Sequence, residues 1–422
     1  MPLKIRSSYF YLFCTIHLVA SCSFNSVNKE EQIQTSNLSS IKEGNWLGKL
    51  IIDSANFIPF NFYVSENKVI ISNDEERIIT HYRKEDTNLY KMDLPVFNSM
   101  FVFSLENENL IGHWHNYAKG IDYKMNFIAK FQGEDRSRFE FDNVSFSQIE
   151  GEWEVTFGLK DSSKYKALGV FNQENNLLSG TFITETGDYR FLEGAVKKDS
   201  IFLSCFDGSH AFLFKANYSE NKLEGDFYSG NHYKEHWEAE KNPNFQLKNP
   251  DSITTINNDK IAFAFPNLDS TIVKYPSERY NNKVVIIQII GSWCPNCMDE
   301  TAFLTELYNQ YHKEGLEVIS LAYEKPNSFK GKCKNLSRLI EHTEAKYEFL
   351  IAGESSKKDV ERTLPFINNV KSFPTCIILD KKGDVIKVHS GFYGPGTGKY
   401  YEEYIKEVNE IVKTLLAENI NS

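Results

Sequence analysis

The sequence predicts a multidomain chain, an all-β region followed by an α/β domain, and three observations carry that division. Between Gly44 and about Glu240, short alternating runs such as "NFIPFNFYV", "MFVFSL", "SGTFIT" and "AFLFKA" are separated by Asn, Gly and Asp turns. No amphipathic helix of useful length interrupts them. The stretch "EKNPNFQLKNPDSITTINNDK" is then rich in Asn and Pro, as a linker is. Beyond it, "KVVIIQII" is continuously apolar, the pattern of a strand buried on both faces, and helical periods begin to alternate with strands.

The β region contains one pattern twice, over residues 44–147 and 148–242. "GNWLGKL" at Gly44 matches "GEWEVTF" at Gly151, and "PVFNSMFVFSLENENLIGHW" resembles "SCFDGSHAFLFKANYSENKLEGDF". Such a repeat predicts two stacked meanders, closed either as two barrels or as one larger sheet.

After the linker, at 243–260, the α/β domain occupies 261–418. Met298 to His312 has a helical period and "LEVISLAY" is a second buried strand. Leu336 to Thr343 predicts a helix, "YEFLIA" a strand and Lys358 to Ile367 another helix. "TCIILD", a Lys382-Gly383 turn and "VIKVHSG" predict a hairpin, and Tyr400 to Leu416 a closing helix. The sum is a mixed central sheet flanked by helices.

Composition bounds the function. Hydrophobic residues are 41% and aromatics 14% of the chain, enough for buried cores. A net charge of −10 without basic blocks argues against nucleic acid as a partner. Lys4 and Arg6 precede a short apolar run, Tyr9 to Ala20, which is too short to span a bilayer comfortably. Val19-Ala20-Ser21-Cys22 follows and resembles a bacterial lipobox, cut before a cysteine that is then lipidated. Residues 1–21 are thus expected to be a signal peptide, Cys22 a lipidation site, and 22–43 a polar, flexible tether. That places the mature protein in the bacterial cell envelope, lipid-anchored and facing the periplasm or outer surface, where disulfides persist.

Of seven dispersed cysteines only Cys294 and Cys297 are close, in "GSWCPNCMDE". Cys294 falls after a buried strand and at the start of a helix. Backbone N–H groups and the helix dipole there favour a thiolate, the form that attacks a disulfide. Cys297 is one turn on, placed to resolve the mixed disulfide formed on Cys294. Pro295 fits the first turn without loss of a helical hydrogen bond. A structural zinc site needs four ligands, and no second Cys/His pair lies at suitable spacing, with His312 and His342 isolated. No metal and no cofactor is expected beyond the redox-active Cys294–Cys297 pair.

With "FPNLDS", "KVVIIQIIGSWCPNC", "SFPTCIILDKKGDVI" and "SGFYGPGTG", residues from about Ile261 to Leu416 resemble the TlpA-like branch of the thioredoxin superfamily. The resemblance implies a thioredoxin-like fold and a thiol–disulfide oxidoreductase. It implies that Pro374 is a cis-proline facing the dithiol, and that Phe373 and Pro374 pair with a substrate chain. Trp293 and Pro295, flanking Cys294, complete the expected substrate-binding set. Gln288 stands where ordinary thioredoxins carry a buried aspartate, and Glu300 where TlpA-like proteins often carry a helix glutamate. Glu300 is then either a base for Cys297 or a surface residue favouring the first turn. Reductase is the direction the family suggests, acting on disulfides of exported proteins and needing electrons from a membrane dithiol donor.

"GTFITETGDYRFLEG" and "LSCFDGSHAFLF" resemble the β region that precedes the redoxin domain in some TlpA-like lipoproteins of the Bacteroidetes type, which brings no role for it. A contrasting reading remains, a lipoprotein whose β region binds a ligand or partner while the redoxin domain is a scaffold or redox-responsive part. Glu185, Asp188, Arg190, Asp207 and His210 gather in the second repeat as an ion-paired cap or a ligand mouth. His113 and His115 share a strand face, and His232 and His236 are helix-spaced. Cys205 stands alone, Cys333 is expected in a Lys-rich loop, and Cys376 in a buried strand.

Overall fold

The computed structural model describes residues 40–139, 147–159, 164–257 and 260–418. The signal segment, Cys22 and most of the tether lie outside the described residues. Residues Ile41–Ser422 cluster as one unit.

The two repeats are two separate barrels. The first consists of β1 (Gly44–Ile51), β2 (Phe57–Ser65), β3 (Lys68–Asn73), β4 (Glu76–Asp86), β5 (Leu89–Asp93), β6 (Ser99–Glu106), β7 (Asn109–Asn116) and β8 (Lys124–Gly133). Each strand pairs antiparallel with the next, and β8 pairs back with β1 to close the sheet. The second contains β9 (Gly151–Phe157), β10 (Tyr165–Glu174), β11 (Leu177–Thr184), the short β12 (Gly187–Asp188), β13 (Leu192–Lys197), β14 (Ser200–Phe206), β15 (Ala211–Ser219), β16 (Lys222–Ser229) and β17 (Tyr233–Lys241). The β10–β11 pairing joins the ends of this sheet, while β12 adds to the outer end of β11. Closure leaves no open edge to recruit another chain.

Alternation explains what each barrel contains. In β1, Trp46 and Leu50 are fully buried while Leu47 and Lys49 are partly exposed. Trp153, Val155 and Phe157 repeat that inward row in β9. Both repeats anchor the inward tryptophan alike: Trp46 Nε1 donates to the carbonyl of Lys42 at 3.0 Å, and Trp153 Nε1 to that of Ile149 at 2.8 Å. Phe206 of the second barrel enters the apolar cluster of the first, with ring centroids 4.7 Å from Phe60 and 5.1 Å from Trp114. Buried Arg138 donates to Asn61 Oδ1, the Ser72 and Ser204 carbonyls and Glu193, tying both barrels together.

The segment expected to be a linker lies along the following domain. It forms β18 (Thr255–Ile256), which pairs with β24 (Ile367–Asn368), and its Asp251 meets His389 Nδ1 at 2.6 Å and pairs with Lys387. "FPNLDS" follows, joining the hairpin β19 (Phe263–Pro266) and β20 (Ile272–Tyr275). The central sheet has the order β23 (Glu348–Glu354), β22 (Leu316–Glu324), β21 (Val284–Ile290), β25 (Thr375–Leu379), β26 (Val385–Ser390). The first three are mutually parallel, and β25 runs antiparallel to both β21 and β26. Every residue of β21 and β22 is buried, the polar Gln288, Glu317, Ser320 and Glu324 included.

Helices α1 (Pro295–Tyr311), α2 (Phe329–Thr343), α3 (Lys357–Thr363) and α4 (Lys399–Ala417) flank the sheet. α2 is a full turn and more longer than the Leu336–Thr343 period suggests, because Ser328 caps it by accepting from the Gly331 N–H. Cys333 therefore sits on a helix, where burial raises its thiol pKa, and not in a loop. α3 ends at Thr363 and the chain turns extended before Ile367. His236 lies in β17 and His232 in the turn before it, so their helical spacing has no meaning there.

Candidate active site

The dithiol is built at the junction of a buried strand and a helix. β21 delivers Gly291–Ser292–Trp293 to the sheet's end, and Cys294 is the N-cap of α1 with extended backbone. Both cysteines are free thiols. Cys294 is partly exposed, and its Sγ lies 3.4 Å from the carbonyl oxygen of Phe373. Cys297, one turn inside α1, is fully buried, and burial beside Cys294 pushes its thiol well up. One thiol is thus reachable from solvent and the other is shielded.

Phe373 and Pro374 close the opposite wall, joined by a cis peptide bond. Phe373 is partly exposed and packs edge-on to Trp293 with centroids 5.4 Å apart. Trp293 Nε1 donates to the Tyr323 carbonyl at 3.0 Å. Pro295 is buried in the first turn. Trp293, Pro295, Phe373 and Pro374 therefore surround Cys294 as one constellation.

Beneath the thiols, Glu300 is fully buried and is not a surface residue of the first turn. Gln288 Nε2 donates to Glu300 Oε2 at 2.9 Å, and Gln288 Oε1 accepts from Ser320 Oγ at 2.5 Å. Glu300 Oε1 is buried without a hydrogen-bond partner. Burial outweighs the Gln288 bond and pushes the carboxyl up to about 8. Burial raises the Cys297 thiol as well, and of the two groups the carboxyl is the one that ionises nearer neutral pH.

The structure adds residues that the sequence pattern did not single out. Glu324 is buried at the end of β22 and accepts from Ser292 N and Oγ, both at 2.7 Å, fixing the loop before the dithiol. Lys325 Nζ lies 4.9 Å from the Trp293 ring centroid and donates to the Ala118 carbonyl of the first barrel. Burial lowers the Lys325 pKa, against the opposing pull of Glu324 and Cys294. Its place after a buried strand was readable, but its approach to Cys294 depends on the fold.

Both barrels touch this face. Val96 and Phe97, from the loop after β5, are buried in the same apolar cluster as Cys297, Leu304 and Leu336. Ser209 Oγ of the second barrel lies 3.4 Å from the Trp293 carbonyl. The acidic and basic residues of the second repeat form an ion-paired hub on Arg190, which pairs with Glu76 of the first barrel, Asp207 of the second and Asp299 of α1. His210 joins through Asp207 at 3.2 Å, whereas Glu185 pairs outward with Lys248. A cleft of about 780 Å³ opens beside Asn296, lined among others by Tyr165, Tyr189, His210 and Phe212. Among the described residues no cluster of His, Cys, Asp and Glu could hold a metal ion. Cys205 and Cys376 are buried singly, and burial raises both thiols. No described helix is long and apolar enough to cross a membrane.

Comparison with known proteins bears on the α/β domain. Residues 241–404 match the Redoxin family. The thiol-disulfide oxidoreductase ResA of Halalkalibacterium halodurans is 21% identical over 162 residues, covering 38% of this chain and 80% of that one. ResA of Bacillus thuringiensis subsp. konkukian is 26% identical over 131 residues, covering 31% of this chain and 65% of that one, so the chain spans about two thirds of that relative. A thioredoxin family thiol:disulfide interchange protein from Chlorobium tepidum TLS aligns over 39% of this chain and 98% of its own, with 16% identity and a TM-score of 0.30. The β barrels up to Glu240 precede the Redoxin match. With a redoxin domain over residues 241–404 and ResA relatives over that domain, this multidomain chain is a thiol–disulfide oxidoreductase.

Proposed function

We propose that the protein is a membrane-tethered reductase outside the cytoplasm, acting on disulfides of exported proteins through its Cys-Pro-Asn-Cys dithiol. The observation that carries this reading is the contrast between Cys294, partly exposed at the helix cap beside Phe373, and Cys297, fully buried one turn on. The Cys294 thiolate attacks one sulfur of a substrate disulfide, forming a mixed disulfide and expelling the other sulfur as a thiolate. Glu300, when ionised, takes the proton of Cys297. The Cys297 thiolate then attacks Cys294 Sγ, closing the Cys294–Cys297 disulfide and releasing the second substrate thiolate, which takes up a proton. The substrate gains two electrons and the protein loses two, which a membrane dithiol donor restores. Trp293 and Phe373, both partly exposed, form the surface on which the substrate chain lies, with buried Pro295 and Pro374 behind them. Lipidation at Cys22 holds the protein at the envelope.

Trapping tests the chemistry. Cys297→Ser should accumulate mixed disulfides with partner proteins, and Cys294→Ser few. The assignment fails if Cys294→Ser traps the larger set, or if Cys297 alkylates faster than Cys294 at neutral pH. Cys22→Ala tests the tether: a variant that keeps its acyl chains and its membrane association removes the lipid anchor from the reading.

A further inference from the structure

The tip of the β11–β12 hairpin reaches from the second barrel to Asn296, the second of the two residues between the cysteines. Asn296 is buried, and its Nδ2 donates to Asp188 Oδ2 at 2.9 Å and to the Phe392 carbonyl at 3.0 Å. The same Asp188 oxygen accepts from Gly394 N at 2.7 Å, while its other oxygen accepts from Arg190 N at 2.7 Å. One carboxylate thus bridges the dithiol loop and the loop after β26.

The contact is built closely on both sides. Gly391 has φ +85°, and a Cβ there would come within 2.4 Å of the Thr186 carbonyl oxygen. A Cβ on Gly394 would lie 2.6 Å from Asp299 Oδ2 and 3.2 Å from Asp188 Oδ2. Arg190 holds a left-handed backbone at φ +66°, uncommon for a residue with a side chain, while its guanidinium pairs with Asp299 on α1. The tip is therefore held by its backbone, by Asn296 and by α1 together.

We propose that Asp188 is a positioning residue for the dithiol, borne by the β region, which holds Asn296 in place and sets the reactivity of Cys294 through that bond and its own charge. The inference rests on the oxidoreductase reading. Its physical basis is the N-terminus of α1, whose N–H groups and dipole favour a thiolate on Cys294. A fixed carboxylate beside the first turn opposes that thiolate. Removing the charge stabilises the thiolate, and with it the reduced protein, and makes the disulfide more oxidising. The other charged or titratable groups on this side include Asp299, Cys297 and Glu300 of α1, Arg190, Glu185, Asp207, His210, Tyr165 and Tyr189 of the second barrel, Lys248 after it and Glu76 of the first. Tyr393 faces it from the loop after β26 and Lys325 from the end of β22.

The test compares the mature chain with Asp188→Asn, Asn296→Ala and the double variant, each checked for native circular dichroism and melting. Two readouts are used: the pH profile of Cys294 alkylation, and the dithiol–disulfide equilibrium with glutathione. Asp188→Asn should lower the alkylation midpoint by about half to one pH unit. It should also shift the glutathione equilibrium toward reduced protein by roughly three- to tenfold. Asn296→Ala should move the same equilibrium by about threefold or more, and the double variant should fall short of the sum because the two residues share one bond. A folded Asp188→Asn with unmoved profile and equilibrium overturns the proposal. If Asp188→Asn does not fold, an unmoved equilibrium in Asn296→Ala overturns it instead. A wild-type chain that forms no Cys294–Cys297 disulfide overturns the oxidoreductase reading itself, whereas a cycling wild type with unmoved variants overturns only the positioning role.

Discussion

Gln288 Nε2 donates a 2.9 Å hydrogen bond to Glu300 Oε2, and both side chains are fully buried below the dithiol. The amide supplies a polar contact without a charge, so the carboxyl remains protonated well above its ordinary range, up to about 8. A carboxyl whose folded pKa is raised binds more protons in the folded than in the unfolded state. Between the ordinary carboxylate range and about pH 8, its contribution to stability therefore falls as pH rises. Glu300→Gln removes that slope. Relative to wild type, the variant should gain stability from acid toward pH 8, on the order of 3 kcal/mol near neutrality, and then level off. Urea titrations at pH 4, 6 and 8 measure it, and a difference that stays constant with pH contradicts the raised pKa.

The same carboxyl predicts a kinetic effect. Release of a substrate thiol requires Cys297 to lose its proton, and a base with a pKa of about 8 is only partly ionised at neutral pH. In wild type the release step should quicken as pH rises toward 8 and then flatten. Glu300→Gln should slow release on the order of 100-fold, with the first attack by Cys294 unchanged. Single-turnover mixing with a model disulfide separates the two steps. An unchanged release rate would assign the Cys297 proton to water and leave the dithiol chemistry intact.

Phe206 belongs to the second barrel but lies in the core of the first, fully buried between Phe60, Phe101 and Trp114. Phe206→Ala should cost about 3–5 kcal/mol, the range for truncating a buried aromatic. Because the ring joins two barrels, they should lose stability together. Melting followed by calorimetry and by tryptophan fluorescence reports it. A loss under 1 kcal/mol would show that the barrels slide together to fill the space.

Asp251 anchors the segment that leads from the barrels into the central sheet. Burial works against its charge, but the bonds from His389 and Lys387 outweigh it and hold the carboxyl below its usual range. Its contribution to stability is therefore present at neutral pH and lost as pH falls through that depressed range. Asp251→Ala should cost roughly 1–3 kcal/mol at pH 7, less than a fully buried pair because Asp251 is one-third exposed. The cost should shrink in acid. A variant as stable as wild type at pH 7 means that the segment is a passive linker.

Much of this protein was legible in its residues. Strict alternation in runs such as Gly44–Ile51 announces a one-sided strand, and continuous burial in Val284–Ile290 announces a two-sided one, because side-chain period and solvent exposure are local properties of the backbone. Cys294 and Cys297 were legible for the same reason: their spacing places one at a helix cap and the other a turn inside. Tertiary structure alone decided that two barrels close in place of one, since closure depends on β8 pairing with β1 and β17 with β9, strands far apart in the sequence. It alone buried Glu300, because burial is set by what packs against a helix face. It also brought Asp188 to Asn296 across 108 residues of chain and gathered Glu76, Asp207 and Asp299 on Arg190. A charged residue in a turn carries no local sign of its partner. Which opposite charge or amide it meets is settled only when separate cores dock.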